Sequence, residues 1–352
     1  INEFLPWKDL LSYLDAILRV YNRYGRRDNK YKARIKILVK ALTPEVFAQK
    51  VDAEMEHLRG GQTTLTDAEV HRVAKHFVDP DYKALSNQDA ELADLDQQHP
   101  GFARWRTRNT LAHKKPGYVA VTLSLKPTGV APGDITDKQL DGVADLAERY
   151  SFGQLRTSHE QNIILADVEQ SQLFTLWGEL REQGFATPNI GLLTDIICCP
   201  GGDFCSLANA KSIPIAESIQ RRFDDLDYLF DIGELDLNIS GCMNACGHHH
   251  VGHIGILGVD KDGKEWYQIT LGGADGSHLS GPATPGKIIG PSFSAAEVPG
   301  VIEALLATYR EQRQSEGGRF ETFIATVRRV GIDPFKAARN AARHPAKHTE
   351  AA

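Results

Sequence analysis

A chain of 352 residues has room for two or three domains and a sizeable core. Its formal net charge of −6, with 40 Lys and Arg against 46 Asp and Glu, gives no case for nucleic-acid binding. No apolar run approaches membrane-spanning length and no secretory signal is visible, while cysteines placed as ligands fit a reducing, cytoplasmic setting. The chain starts at Ile1 rather than Met and in mid-pattern, as a piece of a longer protein would.

Leu10, Leu11, Leu14, Ile17, Leu18 and Tyr21 recur at helical spacing and predict an amphipathic helix over residues 9–24, closed at Gly25. A basic run follows, in which Lys32, Arg34 and Lys36 alternate with Ala33, Ile35 and Ile37. An extended chain would point all three cations one way. The spacing of Ile35, Leu38, Val39 and Leu42 is helical, so a helix starts within the segment. Taken alone, such a cluster reads as a solvated basic face. Thr43-Pro44 opens a helix to about residue 58, and the capping box Thr66-Asp67-Ala68-Glu69 starts another to about residue 78. Residues 79–115 are polar with little periodicity and read as a connecting segment over the surface, with Trp105 as a packing residue.

From Gly117 the pattern changes. Residues 118–125 alternate as a strand, and Thr136-Asp137-Lys138-Gln139 caps a helix with Leu140, Val143, Ala144, Leu146 and Ala147 on one face. A strand at 162–165 and a helix over 171–183 complete a β-α-β-α order, which predicts a small α/β unit. Further on, a helical pattern over 207–223 contains Pro214, and residues 236–239 form a short strand. Residues 254–259 and 266–271 flank the hairpin turn Lys261-Asp262-Gly263-Lys264. Gly272, Gly273 and Gly276 give a loop able to lie against a cofactor, without the spacing of a nucleotide fingerprint. Ser294-Ala295-Ala296-Glu297 caps a helix to about residue 311, and a last helix spans 317–330.

The chemistry concentrates in the cysteines. Cys199 and Cys205 enclose five residues, Cys242 and Cys246 enclose three, and Cys198 stands beside the first pair. On a helical turn, residues 242 and 246 would present both thiolates on one face. Gly201, Gly202, Gly241 and Gly247 border the pairs and would let backbone approach a bulky ligand. Two such pairs suit a soft metal centre, and iron–sulfur above zinc, whose knuckles use two-residue spacings. Cys198 reads as a small buried hydrophobe. His248, His249, His250 and His253 cannot all face one ion in regular structure, so they read as packing and hydrogen bonding around the site.

Cys-x5-Cys followed by Cys-x3-Cys, with Asn244 inside the second pair and Gly247 after it, resembles the sulfite and nitrite reductase hemoprotein family. Lys32-Ala33-Arg34-Ile35-Lys36 is similar to that family's substrate-binding basic segment. Leu155-Arg156-Thr157-Ser158-His159-Glu160-Gln161-Asn162 is similar to the signature of its ferredoxin-like repeat. The resemblance implies that Cys199, Cys205, Cys242 and Cys246 hold a 4Fe–4S cluster, and that Cys246, with Asn244 nearby, bridges it to siroheme iron. It implies that Arg34 and Lys36 bind sulfite or nitrite and that Lys32 faces siroheme carboxylates. Arg156, Thr157, Gln161 and Asn162 become candidates for siroheme contacts, with a structural salt bridge equally open for Arg156.

The implied fold is α/β (α+β), with a ferredoxin-like half-repeat and siroheme- and 4Fe–4S-binding α/β lobes. Residues 1–58 would end the first lobe, 59–115 form a helical and extended linker, 116–190 the half-repeat, and 191–352 the second lobe with terminal helices. Only one copy of the repeat signature is found, so the chain resembles the C-terminal part of an assimilatory hemoprotein (beta) subunit. The implied activity is six-electron reduction of sulfite to sulfide, with nitrite to ammonia as the alternative. No flavin or nicotinamide motif is present, so electrons would come from ferredoxin or an NADPH-dependent flavoprotein on another chain. A cluster-bearing electron-transfer fragment without siroheme, and a structural zinc protein, are the remaining readings.

Overall fold

A computed structural model describes residues 1–30, 32–277 and 280–343, and the chain divides into two units, one from Ile1 to Tyr82 and one beginning at Lys83. The first unit is helical: α1 (Leu10–Tyr24), α2 (Ile35–Leu42), α3 (Pro44–Leu58) and α4 (Asp67–Ala74). Its core joins Tyr13, Ala16 and Val20 of α1 to Leu38 of α2 and to Phe47, Val51, Met55 and Leu58 of α3. The stripe of α1 expected inside is largely outside: Leu10, Leu11, Leu14 and Leu18 are 44%, 46%, 47% and 55% exposed. Helical spacing marks an apolar stripe without choosing between neighbouring ones, and here the stripe with small Ala16 faces the core. Thr43 caps α3 and Thr66 caps α4, the latter accepting from Glu69 N–H at 3.2 Å. α4 ends at Ala74, earlier than the pattern predicted.

The second unit opens with two helices in the stretch that had read as a connecting segment, α5 (Asp89–Gln98) and α6 (Pro100–Asn109). Leu92, Phe102 and Trp105 are buried and half-buried Leu95 packs against them, so the segment belongs to a core rather than to the surface. Asn109 is buried and donates its amide to Thr122 O (3.0 Å) and Thr187 O (3.2 Å). β1 (Thr110–Ala112), β2 (Tyr118–Leu123), α7 (Asp137–Tyr150), β3 (Arg156–Thr157), β4 (Ile163–Glu169) and α8 (Leu173–Gln183) follow, and the two helices share their core with β2, α7, β4 and α8. The sheet order is β1-β2-β4-β3, antiparallel throughout. The predicted capping box at Thr136 and Gln139 forms with both reciprocal bonds.

A second sheet follows, built from β5 (Ile197–Cys198), β6 (Leu237–Ser240), β7 (Ile254–Lys261), β8 (Lys264–Leu271) and β9 (Lys287–Ile288), in that spatial order. β5, β6 and β7 are parallel, and β8 and β9 are antiparallel to their neighbours. α9 (Ile213–Arg222) and α10 (Leu226–Ile232) make the crossover from β5 to β6, and α9 starts at residue 213, with Pro214 in its first turn. Asp262 (φ 55°) and Gly263 (φ 74°) are both left-handed, the requirement of a tight two-residue hairpin turn. The terminal region comprises α11 (Val298–Gln312), a short hairpin of β10 (Ser315–Glu316) and β11 (Arg319–Phe320), α12 (Phe323–Val330) and α13 (Asp333–Arg343). α12 begins after the predicted start at residue 317 because Gly317 and Gly318 turn the hairpin instead. No helix among the described residues is long and apolar enough to cross a membrane.

Candidate functional site

β5 and β6 run side by side in parallel, pairing Ile197 with Asn238 and Cys198 with Ile239, so their carboxyl ends open on one edge of the sheet. Cys199 follows β5 directly and Cys242 comes shortly after β6, which brings both cysteine loops to the edge where open α/β sheets bind ligands. The loops meet backbone to backbone. A Cβ on Gly241 would stand 2.7 Å from Ala210 O and 2.8 Å from Gly201 Cα, so only glycine allows this approach. Gly241 N–H donates to Cys199 Sγ at 3.1 Å, and Ser212 Oγ lies 3.5 Å from the same sulfur. Such donors stabilise the charge of a metal-bound thiolate. Behind the second pair, a Cβ on Gly247 would fall 1.9 Å from Ile239 O.

The four cysteines differ in exposure: Cys242 is buried, Cys199 and Cys205 are half-buried, and Cys246 is exposed. Residues 242–246 form turns rather than a helical turn, because Ala245 is left-handed at φ 59°. The expected shared helical face is therefore replaced by a reversing loop, with Asn244 half-buried in its middle. Cys205 is set by the short 3-10 turn Gly201–Asp203, its N–H donating to Gly201 O at 2.9 Å. Among the described residues no three His, Cys, Asp or Glu side chains converge on a single-ion site. A four-iron cluster gives each thiolate its own iron, so its ligands need not meet at one point. A four-cysteine donor set on glycine-bordered loops, with a backbone N–H on one sulfur, fits such a cluster. Cys198 is buried in the core, its thiol pushed upward in pKa by burial first and by neighbouring Cys199 second, and its S–H donates to Cys199 O at 3.2 Å.

The histidines divide. His248 and His250 are exposed, while His249 is buried with its ring 4.0 Å from that of His250. His253 is buried; its Nδ1 accepts from Asp236 N–H (3.1 Å), and its Nε2 is 3.0 Å from Ser280 Oγ. Burial holds His253 down at about 4. Nearby, a cavity of about 330 Å³ is lined by His159, Glu160, Ile197, Asp236, Asn238, His248, Val251 and Asp275. Burial, reinforced by the carboxylates of Asp275, Asp195 and Glu160, pushes Asp236 up to about 6.

The residues of the repeat signature take two kinds of place. Arg156 and Thr157 are exposed on β3. Gln161 turns inward at φ 60°: its Nε2 donates to Cys198 O (2.9 Å) and its Oε1 accepts from Cys198 N–H (2.8 Å). Asn162 is buried, donating to Asp195 Oδ1 (3.0 Å) and accepting from Leu125 N–H (3.2 Å). Both amides, expected toward a cofactor, bond to the chain itself, Gln161 at Cys198 and Asn162 at Asp195 and Leu125. Lys32, Arg34 and Lys36 lie in the first unit. Arg34 is extended (φ −139°, ψ 144°) and begins α2, while Lys36 is already helical, so the period-two face expected of these cations does not form. Arg34 is half-buried with Nη1 donating to Ala33 O (2.8 Å), and Lys32 and Lys36 are exposed.

Sequence reasoning passed over Lys126 and Asp195. Lys126 Nζ is paired with Asp195 Oδ1 at 2.6 Å and donates to Glu160 O, and Asp195 Oδ2 accepts from Gly191 N–H at 2.9 Å. A single lysine at the end of an apolar strand carries no periodic signal, and only its burial reveals the pair.

The model of the nitrite and sulphite reductase 4Fe-4S domain matches residues 1–58 and 192–344, more than half of the chain. That of the nitrite/sulfite reductase ferredoxin-like half domain matches residues 112–183. The chloroplastic ferredoxin–nitrite reductase of Betula pendula is 29% identical over 288 residues, covering 79% of this chain and 42% of that protein. The sulfite reductase (ferredoxin) of Mycobacterium tuberculosis is 25% identical over 336 residues, covering 92% of this chain and 52% of that protein. The solved structure of the Mycobacterium tuberculosis NirA protein shares the fold, with a TM-score of 0.60 and 22% identity over 94% of this chain and 54% of that one. The chain spans about half the length of the curated relatives it matches. It therefore belongs to the nitrite and sulfite reductase family, whose cofactors are a 4Fe–4S cluster and siroheme.

Proposed function

We propose that this chain supplies the cluster-bearing part of a reductase that takes sulfite to sulfide by six electrons. The observation that carries the reading is the meeting of the two cysteine loops at the carboxyl ends of β5 and β6, with Gly241 N–H on Cys199 Sγ. Cys199, Cys205, Cys242 and Cys246 hold the 4Fe–4S cluster. Cys246, the exposed member, would be the thiolate shared between cluster and siroheme, with Asn244 beside it. When bound, these cofactors supply the redox chemistry.

The chain's own side chains neutralise and protonate. Arg34 and Lys36 hold the substrate oxyanion, and the Lys36 ammonium gives a proton as its oxygens leave as water. Lys32 faces siroheme carboxylates, and Arg156 and Thr157, exposed on β3, contact siroheme. Residues 1–58 are the end of a first siroheme-binding lobe, 59–115 the connection, 116–190 the ferredoxin-like half, and 191–352 the second, cluster-binding lobe with its terminal helices. Ferredoxin is the electron donor, a reading supported by relatives named for it, and the cytoplasm suits thiolate ligands.

Nitrite reduction to ammonia is a second reading, favoured by several relatives named ferredoxin–nitrite reductase, at up to 29% identity. The test is a visible spectrum with iron and acid-labile sulfide analysis on anaerobically purified holoprotein, followed by steady-state rates with reduced ferredoxin on sulfite and on nitrite. Siroheme bands with cluster iron and a higher kcat/KM for sulfite support the proposal. A preference for nitrite selects the second reading, cluster iron without siroheme leaves an electron-transfer unit, and zinc without colour overturns both reductase readings.

A further inference from the structure

β5 is the outer strand of its sheet, bonded to β6 on one side only. Cys199 N–H donates to Ile239 O on β6 at 3.1 Å, so by strand alternation the N–H and C=O of Cys198 face away from the sheet. There Gln161 meets them, accepting the N–H at 2.8 Å and donating to the C=O at 2.9 Å. One carboxamide supplies the two bonds that a further strand would make. The peptide between Cys198 and Cys199 is consequently held at both ends, its C=O by Gln161 and its N–H by Ile239.

Gln161 is itself held. Its φ of 60° is costly for a residue with a Cβ and persists only where surrounding contacts impose it. The next residue, Asn162, is buried and tied to Asp195 and Leu125, and Asp195 is paired with buried Lys126. The clamp therefore reaches the cysteine loop from the half-domain sheet, whose β4 begins at Ile163.

We propose that Gln161 is a positioning residue for the iron–sulfur cluster. It fixes the peptide in front of Cys199, sets the direction of that thiolate, and makes cluster retention depend on the ferredoxin-like half. The inference rests on ligation of the cluster by Cys199.

The test compares Gln161→Met, which keeps length and loses the amide, with the unaltered holoprotein. The readouts are iron and labile sulfide per chain, the rate of bleaching by an iron chelator, and the EPR line shape of the reduced cluster. Loss of two hydrogen bonds predicts bleaching about tenfold faster, with a changed line shape and an unchanged far-UV circular dichroism spectrum. Bleaching at the unaltered rate with an unaltered line shape overturns the proposal. Should Gln161→Met fail to fold, Gln161→Glu is read the same way, since it still accepts from Cys198 N–H but loses the donor to Cys198 O. Absence of cluster iron from the unaltered protein would instead overturn the ligation by cysteine, a separate failure.

Discussion

Lys126 and Asp195 form an ion pair at 2.6 Å with side chains only 0% and 6% exposed. The pair links the segment after β2 to the loop that leads into β5, and its carboxylate also accepts from Asn162 and Gly191. Removing one partner strands the other charge in a low-dielectric interior. Lys126→Met should therefore destabilise the fold by about 3–5 kcal/mol, seen as a lower urea midpoint at unchanged slope. Restoring neutrality in Lys126→Met/Asp195→Asn should recover part of that loss. A single variant with the unaltered midpoint would show that the pair contributes nothing.

Gly247 leaves no room for a side chain, since its Cβ would lie 1.9 Å from Ile239 O. Gly247→Ala must push the second cysteine loop off β6, at about 1–3 kcal/mol or more. The expected result is a lower thermal midpoint together with reduced iron per chain. Full iron content with an unchanged midpoint would mean that the loop position is not set by this contact.

Cys246 is the exposed cysteine of the set. Cys246→Ser should abolish the spectroscopic coupling between siroheme and cluster in the holoprotein. Coupled spectra retained in this variant would remove Cys246 as the bridge.

Lys36 is one of the two cations proposed to hold the oxyanion. Lys36→Met should lower kcat/KM for sulfite by about 10²-fold while iron and siroheme content stay near normal. Unchanged sulfite kinetics would reject its role.

Asp236 and His253 give opposite dependences on pH. Asp236 is raised from an ordinary 3.8 to about 6, so the stability linked to its protonation is full below pH 3.8 and is lost as pH rises through about 6. His253 is lowered from 6.5 to about 4, so its contribution is full above pH 6.5 and is lost as pH falls through about 4. The two slopes oppose each other across the window between. Asp236→Asn should leave only the histidine slope and stabilise the protein above pH 6. The Asp236 side chain is 42% exposed, and solvent screening reduces the expected gain to about 1 kcal/mol. Denaturant midpoints from pH 4 to 8 read this directly, and a variant parallel to the unaltered protein would dismiss the carboxylate's role.

Much of the local structure was legible because its causes are local. Thr43 before Pro44, Thr136 three residues before Gln139, and Asp262-Gly263 at the hairpin are each settled by partners within a few residues. The cysteine spacing and the motifs around it likewise pointed to the family. Other features had no such signal. Which stripe of α1 is buried depends on α3, and α5 and α6 form around aromatic residues that find their partners across the β2–β4 sheet. The loop around Cys242 and Cys246 follows from contacts of Gly241 and Gly247 with backbone on other segments. Gln161 reaches Cys198 across 37 residues, and Lys126 reaches Asp195 across 69. Residue type, capping and turn chemistry act over one or two turns of chain and are written in order along it. Choice of buried face, burial of a charge and the aim of a thiolate depend on which distant segments pack together, and tertiary structure alone decided them.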